Sequence, residues 1–118
     1  MSVKDRRKAQ RVDINLPVVI EGSEGEVSGR ALNISTNGVY FELPRYMELM
    51  TKLRMGLSIP QSDDPDGDEG IVSFDGVVVR VEPEKEEPGV KSYRIAVFFT
   101  HLPENSCEIL NTYISKML

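Results

Sequence analysis

Short segments in which apolar and polar residues alternate recur along most of this chain, and they constrain its fold more than any other feature. The apolar members of the first segment, 12–21, fall on one face: Val12, Ile14, Leu16, Val18 and Ile20. Alternation of this length predicts a half-buried β-strand. Five more strands are predicted at 26–34, 39–43, 53–59, 71–81 and 90–99, separated by turn-forming residues. In the fifth, Val77, Val79 and Val81 share one face.

Two positions modify this pattern. Pro17 lacks the N–H that a ladder requires, so we expect it at an edge or a bulge. At the end of the chain the period changes, because Cys107, Leu110, Ile114 and Met117 follow helical spacing and Pro103 suits a first helical turn. The sequence therefore predicts an all-β fold, a six-stranded antiparallel β-barrel, with a C-terminal α-helix at about 103–117.

Length and composition limit the possible function. A chain of 118 residues with 40% hydrophobic residues is expected to form one domain with a single core. No apolar run reaches the roughly 20 residues of a membrane-spanning helix, and no signal peptide is recognised. The single cysteine fits a reducing compartment, so we expect a cytoplasmic protein. The net charge of −5 disfavours general binding to nucleic acid polymers.

The residue types that usually perform catalysis or bind metals are not arranged for either. His101 and Cys107 make only two possible zinc ligands. The acidic run that begins at Asp64 resembles a calcium loop, but Glu69 stands where the loop needs glycine and Asp75 where it needs glutamate. We therefore expect no catalytic residues, no metal site and no cofactor.

Two polar clusters remain. Five of the fourteen basic residues lie within the first eleven positions, among them Arg6, Arg7 and Arg11. Arginine binds phosphate bidentately and matches the O6/N7 edge of guanine. The second cluster, NISTNG, places Asn33, Ser35 and Gly38 at the end of a strand, where amide and hydroxyl groups can contact a ligand and glycine permits a tight turn. Together the clusters suit a compact anion that carries guanine bases.

With Arg7-Lys-Ala-Gln-Arg11 and Asn33-Ile-Ser35-Thr-Asn-Gly38 the sequence resembles the PilZ domain family of bacterial cyclic di-GMP receptors, whose two motifs are both complete here. GVVVRV at 76–81 and YRIAVFF at 93–99 resemble later strands of these domains, although Ala96 stands where many members have glycine. The resemblance implies the same barrel with a terminal helix. It also implies a layout in which residues 1–11 form a flexible, basic, ligand-binding segment and residues 12–118 form a single PilZ-like barrel domain.

The resemblance also implies the role of each site residue. Arg7 and Arg11 would bind phosphate and the guanine Hoogsteen edge. Asn33 and Ser35 would contact guanine or phosphate, and Gly38 would hold the turn. We add Arg6 as a guanidinium that stacks on a second, intercalated ligand molecule.

The expected function is that of a non-enzymatic receptor in bacterial motility or biofilm regulation. On binding cyclic di-GMP its N-terminal segment would change conformation and signal through an unidentified effector protein. The alternative is a PilZ-like protein-interaction adaptor that binds no nucleotide, against which the arginine pair counts. A flavin-binding or catalytic barrel lacks acid–base residues. Single-strand binding around Tyr40, Arg45 and Tyr46 is opposed by the acidic loops.

Overall fold

The computed structural model describes residues 11–22, 25–60 and 69–118, and within them the chain forms six β-strands and one α-helix. The elements are β1 (Val12–Gly22), β2 (Gly25–Ile34), β3 (Gly38–Leu43), β4 (Lys52–Pro60), β5 (Glu69–Glu82), β6 (Tyr93–His101) and α1 (Glu104–Met117). The strands close into a barrel in the order β1-β2-β3-β6-β5-β4, and every neighbouring pair is antiparallel. The predicted barrel and terminal helix are confirmed.

The inward face of each strand builds one hydrophobic core. In β6 the alternation predicts burial of Tyr93, Ile95, Val97 and Phe99, and all four are buried. The largest fully buried side chains are Phe41, Phe74, Ile20, Ile34 and Leu43, which come from four of the six strands. Because the strand period is two, the residues between them point outward and form the surface on which a ligand can lie.

The prediction that Val77, Val79 and Val81 share one face is wrong. Val78 is buried and Val79 is 52% exposed. The register between β5 and β6 shifts between Val78 and Arg80, which is a β-bulge. One extra residue in one strand reverses the inside–outside alternation beyond it, so Val81 returns to the core.

Strand β1 contains a second irregularity, and Pro17 lies next to it. The register between β1 and β2 shifts between Asp13 and Leu16. Pairing of β1 with β4 begins only at Val18. Pro17 thus lies between the bulge and the part of β1 that pairs with both β2 and β4. Its missing N–H interrupts the ladder least there, and the position beside a bulge agrees with the sequence prediction.

Helix α1 packs against β5 and β4. Its buried residues are Ser106, Leu110 and Ile114. The buried face of the helix therefore differs from the face predicted from spacing at both ends. It contains Ser106 rather than Cys107, and Met117 is 48% exposed. The Ser106 hydroxyl accepts a hydrogen bond from the backbone N–H of Ser73 in β5 at 3.0 Å, which fixes the helix on the sheet. Among the residues described, no helix is long and apolar enough to cross a membrane.

Candidate functional site

The hairpin of β1 and β2 brings the two polar clusters of the sequence together. Val12 pairs with Ile34 and Asp13 with Asn33, so the start of β1 lies beside the end of β2. Arg11, directly before β1, donates a hydrogen bond from Nη1 to Oδ1 of Asn33 at 2.7 Å. The two residues are 22 positions apart in the chain, and only the antiparallel pairing makes them neighbours.

The turn between β2 and β3 is held by three hydrogen bonds. The backbone N–H of Ser35 donates to the carbonyl of Gly38 at 2.9 Å. The N–H of Asn37 donates to Oγ of Ser35 at 3.1 Å. The N–H of Phe99 in β6 donates to the carbonyl of Asn37 at 2.8 Å. The turn is therefore attached to the neighbouring strand and forms a fixed rim of the barrel.

Ser35 and Gly38 have structural roles within this turn. Ser35 is only 1% exposed, and its hydroxyl accepts the bond from Asn37. A Cβ added at Gly38 would lie 2.3 Å from the carbonyl oxygen of Val97 in β6. No larger residue fits there without moving β3 away from β6. Contact of Ser35 with a ligand, and the ligand roles of Asn33 and Gly38, stay predictions.

Arg6 and Arg7 lie outside the described residues, as does all of the predicted basic segment except Arg11. Of the six predicted ligand-binding residues, the structure thus describes four and brings them together at one end of the β1–β2–β3 surface. Arg11 is exposed and Asn33 is half-buried, so both are accessible at that surface.

Next to Asn33 the outer face carries a polar network that the motifs did not indicate. Tyr40 is the cross-strand partner of Asn33 and donates its hydroxyl to Oε1 of Glu82 at 2.7 Å. Arg80 donates to Oε2 of the same carboxylate at 2.8 Å. Strand alternation places Tyr40 and Arg80 outward, but their convergence on Glu82 requires the order β3-β6-β5.

The network shifts the pKa values of its members. Burial, followed by the hydrogen bond to Glu82, raises the pKa of Tyr40. The hydrogen bond from Tyr40, followed by the charge of Arg80, lowers the pKa of Glu82. Both shifts favour a neutral phenol that donates to an ionised carboxylate. Arg80 is therefore ion-paired in this state, whereas Arg11 bonds to a neutral amide.

Other places in the described ranges offer less chemistry. No group of three or more histidine, cysteine or acidic side chains there could hold a metal ion. His101 is exposed, and Sγ of the partly buried Cys107 accepts a weak bond from the Asn111 amide at 3.5 Å. A surface cavity of about 760 Å³ is lined mainly by residues of β4 and β5, among them Arg54 and Asp75, and its lining includes no predicted ligand residue.

The fold is a closed antiparallel barrel with a terminal helix, and an arginine is hydrogen-bonded to the first residue of its N-x-S-x-x-G motif, which places the chain in a class of small β-barrel domains. The family model for the PilZ domain matches residues 5–116. The chain belongs to the PilZ domain family.

Solved structures agree with this assignment. The structure of the Bacillus subtilis inhibitor of motility, MotI/DgrA, is similar with a TM-score of 0.74 and 20% identity, over 94% of this chain and 51% of that one. This chain thus spans about half the length of that protein. The PilZ domain of Escherichia coli YcgR, solved with c-di-GMP, is similar with a TM-score of 0.68 and 14% identity, over 95% and 91% of the two chains.

The PilZ domain of CeSA from a cellulose synthesizing bacterium has a TM-score of 0.56 and 15% identity, over 92% of this chain and 98% of that domain. At identities this low, the three structures establish a shared fold. The comparison with curated proteins finds no match.

Proposed function

We propose that this PilZ domain is a receptor for cyclic di-GMP, which it binds with Arg7, Arg11, Asn33 and Ser35 beside the turn that Gly38 closes. The observation that carries the proposal is the hydrogen bond between Arg11 and Asn33, because it joins both ligand motifs in one site. Family membership and the complete motifs support it.

The chemistry of the site suits a cyclic dinucleotide. A guanidinium has five N–H donors, and the bond to Asn33 occupies one of them. Arg11 can therefore bind a phosphate or the guanine O6/N7 edge while it stays next to Asn33. The exposed arginine and the half-buried amide together offer donors for an anion and a polar group for a base edge.

In this proposal the protein acts without catalysis, in the cytoplasm, by a change in its N-terminal segment. The ligand neutralises part of the basic charge of residues 1–11 and draws that segment toward the barrel. An effector protein that binds only one of the two states then responds to the ligand concentration. Arg6 stacks on a second ligand molecule, so two molecules bind per protomer.

The test is isothermal titration calorimetry with cyclic di-GMP, with GMP and GTP as control ligands. We expect micromolar or tighter binding of the cyclic dinucleotide alone. Arg11→Ala or Arg7→Ala removes a charge-assisted contact worth about 1.5–3 kcal/mol, which weakens binding roughly 10- to 150-fold. Arg6→Ala is expected to reduce the stoichiometry from two to one.

Arg54→Ala is the matched control for net charge. Arg54 is also exposed, pairs with Asp75 at 3.2 Å, and lies on β4, away from the turn. Its loss removes the same unit charge, so we expect binding close to wild type. Equal losses for Arg54→Ala and Arg11→Ala would indicate a general charge effect and contradict the site. A folded wild type that binds no cyclic di-GMP would favour the adaptor alternative.

A further inference from the structure

Phe98 stands apart from the other aromatic residues of the barrel. All four phenylalanines lie in the described residues, and three of them, Phe41, Phe74 and Phe99, are buried. Phe98 is 50% exposed on the outer face of β6, because its neighbours Val97 and Phe99 point into the core. A hydrophobic ring kept in water contributes little to the core and is available for a ligand.

The register places this ring beside the candidate site. Phe98 is the cross-strand partner of Gly38, and Gly38 is joined to Ser35 by the hydrogen bond across the turn. A row across the sheet therefore runs from Phe98 on β6 over Gly38 on β3 to Ser35 at the end of β2. The bond from the N–H of Phe99 to the carbonyl of Asn37 holds this part of β6 against the turn.

The pairing with glycine favours a ring that lies flat. Gly38 has no side chain and is buried, and its backbone lies close against β6 at Val97 and Phe98. An aromatic side chain opposite a glycine can cover the bare backbone with one face of its ring. The half exposure of Phe98 matches this arrangement, which leaves the other ring face in solvent.

The distance to the arginine fits one nucleotide. The Arg11 guanidinium reaches Asn33 on β2, and β3 separates β2 from β6. Asn33 pairs with Tyr40 and Tyr40 with Ala96, two residues before Phe98. Two strand spacings of about 10 Å and an offset of about 7 Å along β6 therefore separate Asn33 from Phe98 by about 12 Å. A phosphate held by Arg11 and its own guanine base can span this width, with the base over β6.

We propose that the exposed face of Phe98 stacks on a guanine base of the bound cyclic dinucleotide and so forms a further binding residue of the site. This inference rests on the proposed function and adds to it a platform outside both sequence motifs. Base stacking on an aromatic side chain needs only a flat, accessible ring. Phe98 supplies affinity, and the polar groups of the turn supply the hydrogen bonds that orient the base.

The test compares three substitutions at this position by calorimetry with cyclic di-GMP. Phe98→Ala and Phe98→Leu both remove the aromatic face, and we expect roughly 5- to 150-fold weaker binding. Leucine keeps a large apolar side chain at this position, so Phe98→Leu separates binding from any loss of stability. Phe98→Tyr keeps the ring and is expected to bind within about threefold of wild type.

Phe98→Trp gives a direct optical readout because the chain contains no tryptophan. Stacking on guanine should quench its fluorescence as cyclic di-GMP saturates the protein. Ile71→Trp is the matched control, since Ile71 is 58% exposed on the same sheet but about 20 Å along β5 from Val77, the other neighbour of Phe98. Its fluorescence should not change.

The possible failures are distinguishable. If wild type binds and Arg11→Ala weakens binding, but Phe98→Ala, Phe98→Leu and Phe98→Trp behave as wild type without quenching, only the stacking inference is wrong. If wild type itself does not bind cyclic di-GMP, the proposed function and this inference are both overturned.

Discussion

Gly38→Ala is the substitution whose effect follows most directly from the structure. The added Cβ would lie 2.3 Å from the Val97 carbonyl oxygen, and the next two atoms it meets are also backbone, the Val97 carbonyl carbon and the Phe98 Cα. Real Cβ atoms essentially never approach closer than 3.0 Å. Because no flexible side chain can move away, β3 and β6 must separate by at least the missing 0.7 Å at a point where they are hydrogen-bonded.

Forced overpacking of this kind costs about 1–3 kcal/mol. For a domain of this size, that lowers the melting temperature by roughly 4–15 °C. The assay is urea unfolding followed by far-ultraviolet circular dichroism, with thermal melting as a second measurement. Because the shift displaces the Ser35–Gly38 turn, we also expect weaker binding of cyclic di-GMP.

Two other glycines provide matched controls. A Cβ at Gly56 on β4 meets nothing within 4 Å, so Gly56→Ala should be neutral or stabilise by up to about 1 kcal/mol. A Cβ at Gly29 on β2 would lie 2.3 Å from the Glu42 carbonyl oxygen, so Gly29→Ala should destabilise like Gly38→Ala. It should affect ligand binding less, because Gly29 lies away from the turn. Equal stabilities of Gly38→Ala and Gly56→Ala would refute the steric argument.

Three further predictions concern the outer network and the helix. Tyr40→Phe removes the main cause of the lowered pKa of Glu82, so this pKa should rise toward the ordinary value of a glutamate in a carboxyl NMR titration. In the wild type, the ionised Glu82 carboxylate adds to the free energy of unfolding above the ordinary glutamate pKa, and this contribution is lost as the pH falls through the lowered pKa. In Tyr40→Phe the free energy of unfolding should therefore depend less on pH in this range. Ser106→Ala leaves the Ser73 N–H without its acceptor, and urea unfolding should show a loss of about 1–3 kcal/mol. Leu110→Ala creates a cavity under the helix and should cost about 2–5 kcal/mol in the same assay, whereas a loss below 1 kcal/mol would mean that the helix contributes little to the core.

The barrel could be predicted from the sequence because each strand is recognised from the pattern of a few consecutive residues. Alternation along a strand shows which face is apolar, and β6, where Tyr93 to Phe99 alternate without interruption, was predicted almost residue by residue. The prediction failed in β5, where the bulge at Val79 inserts one residue and reverses the alternation. A bulge is set by the register with the neighbouring strand, and no local pattern reports that register.

The candidate site divides in the same way. Residue types and spacing within each motif singled out Arg11, Asn33, Ser35 and Gly38, because the chemistry of an arginine or a tight turn belongs to the residues themselves. The hydrogen bond from Tyr40 to Glu82 and the pairing of Phe98 with Gly38 could not be predicted, because they depend on strand order across the barrel.

The sequence by itself thus determined the strands, the closing helix and the polar groups available to a ligand, since each of these depends on a few consecutive residues. Only the tertiary structure decided which of those groups meet. Closure of the barrel in the order β1-β2-β3-β6-β5-β4 brings Arg11 within hydrogen-bond distance of Asn33 and leaves the Phe98 side chain half exposed beside the turn. Contacts between residues distant in the chain depend on pairing and register, and those are fixed when the whole core packs.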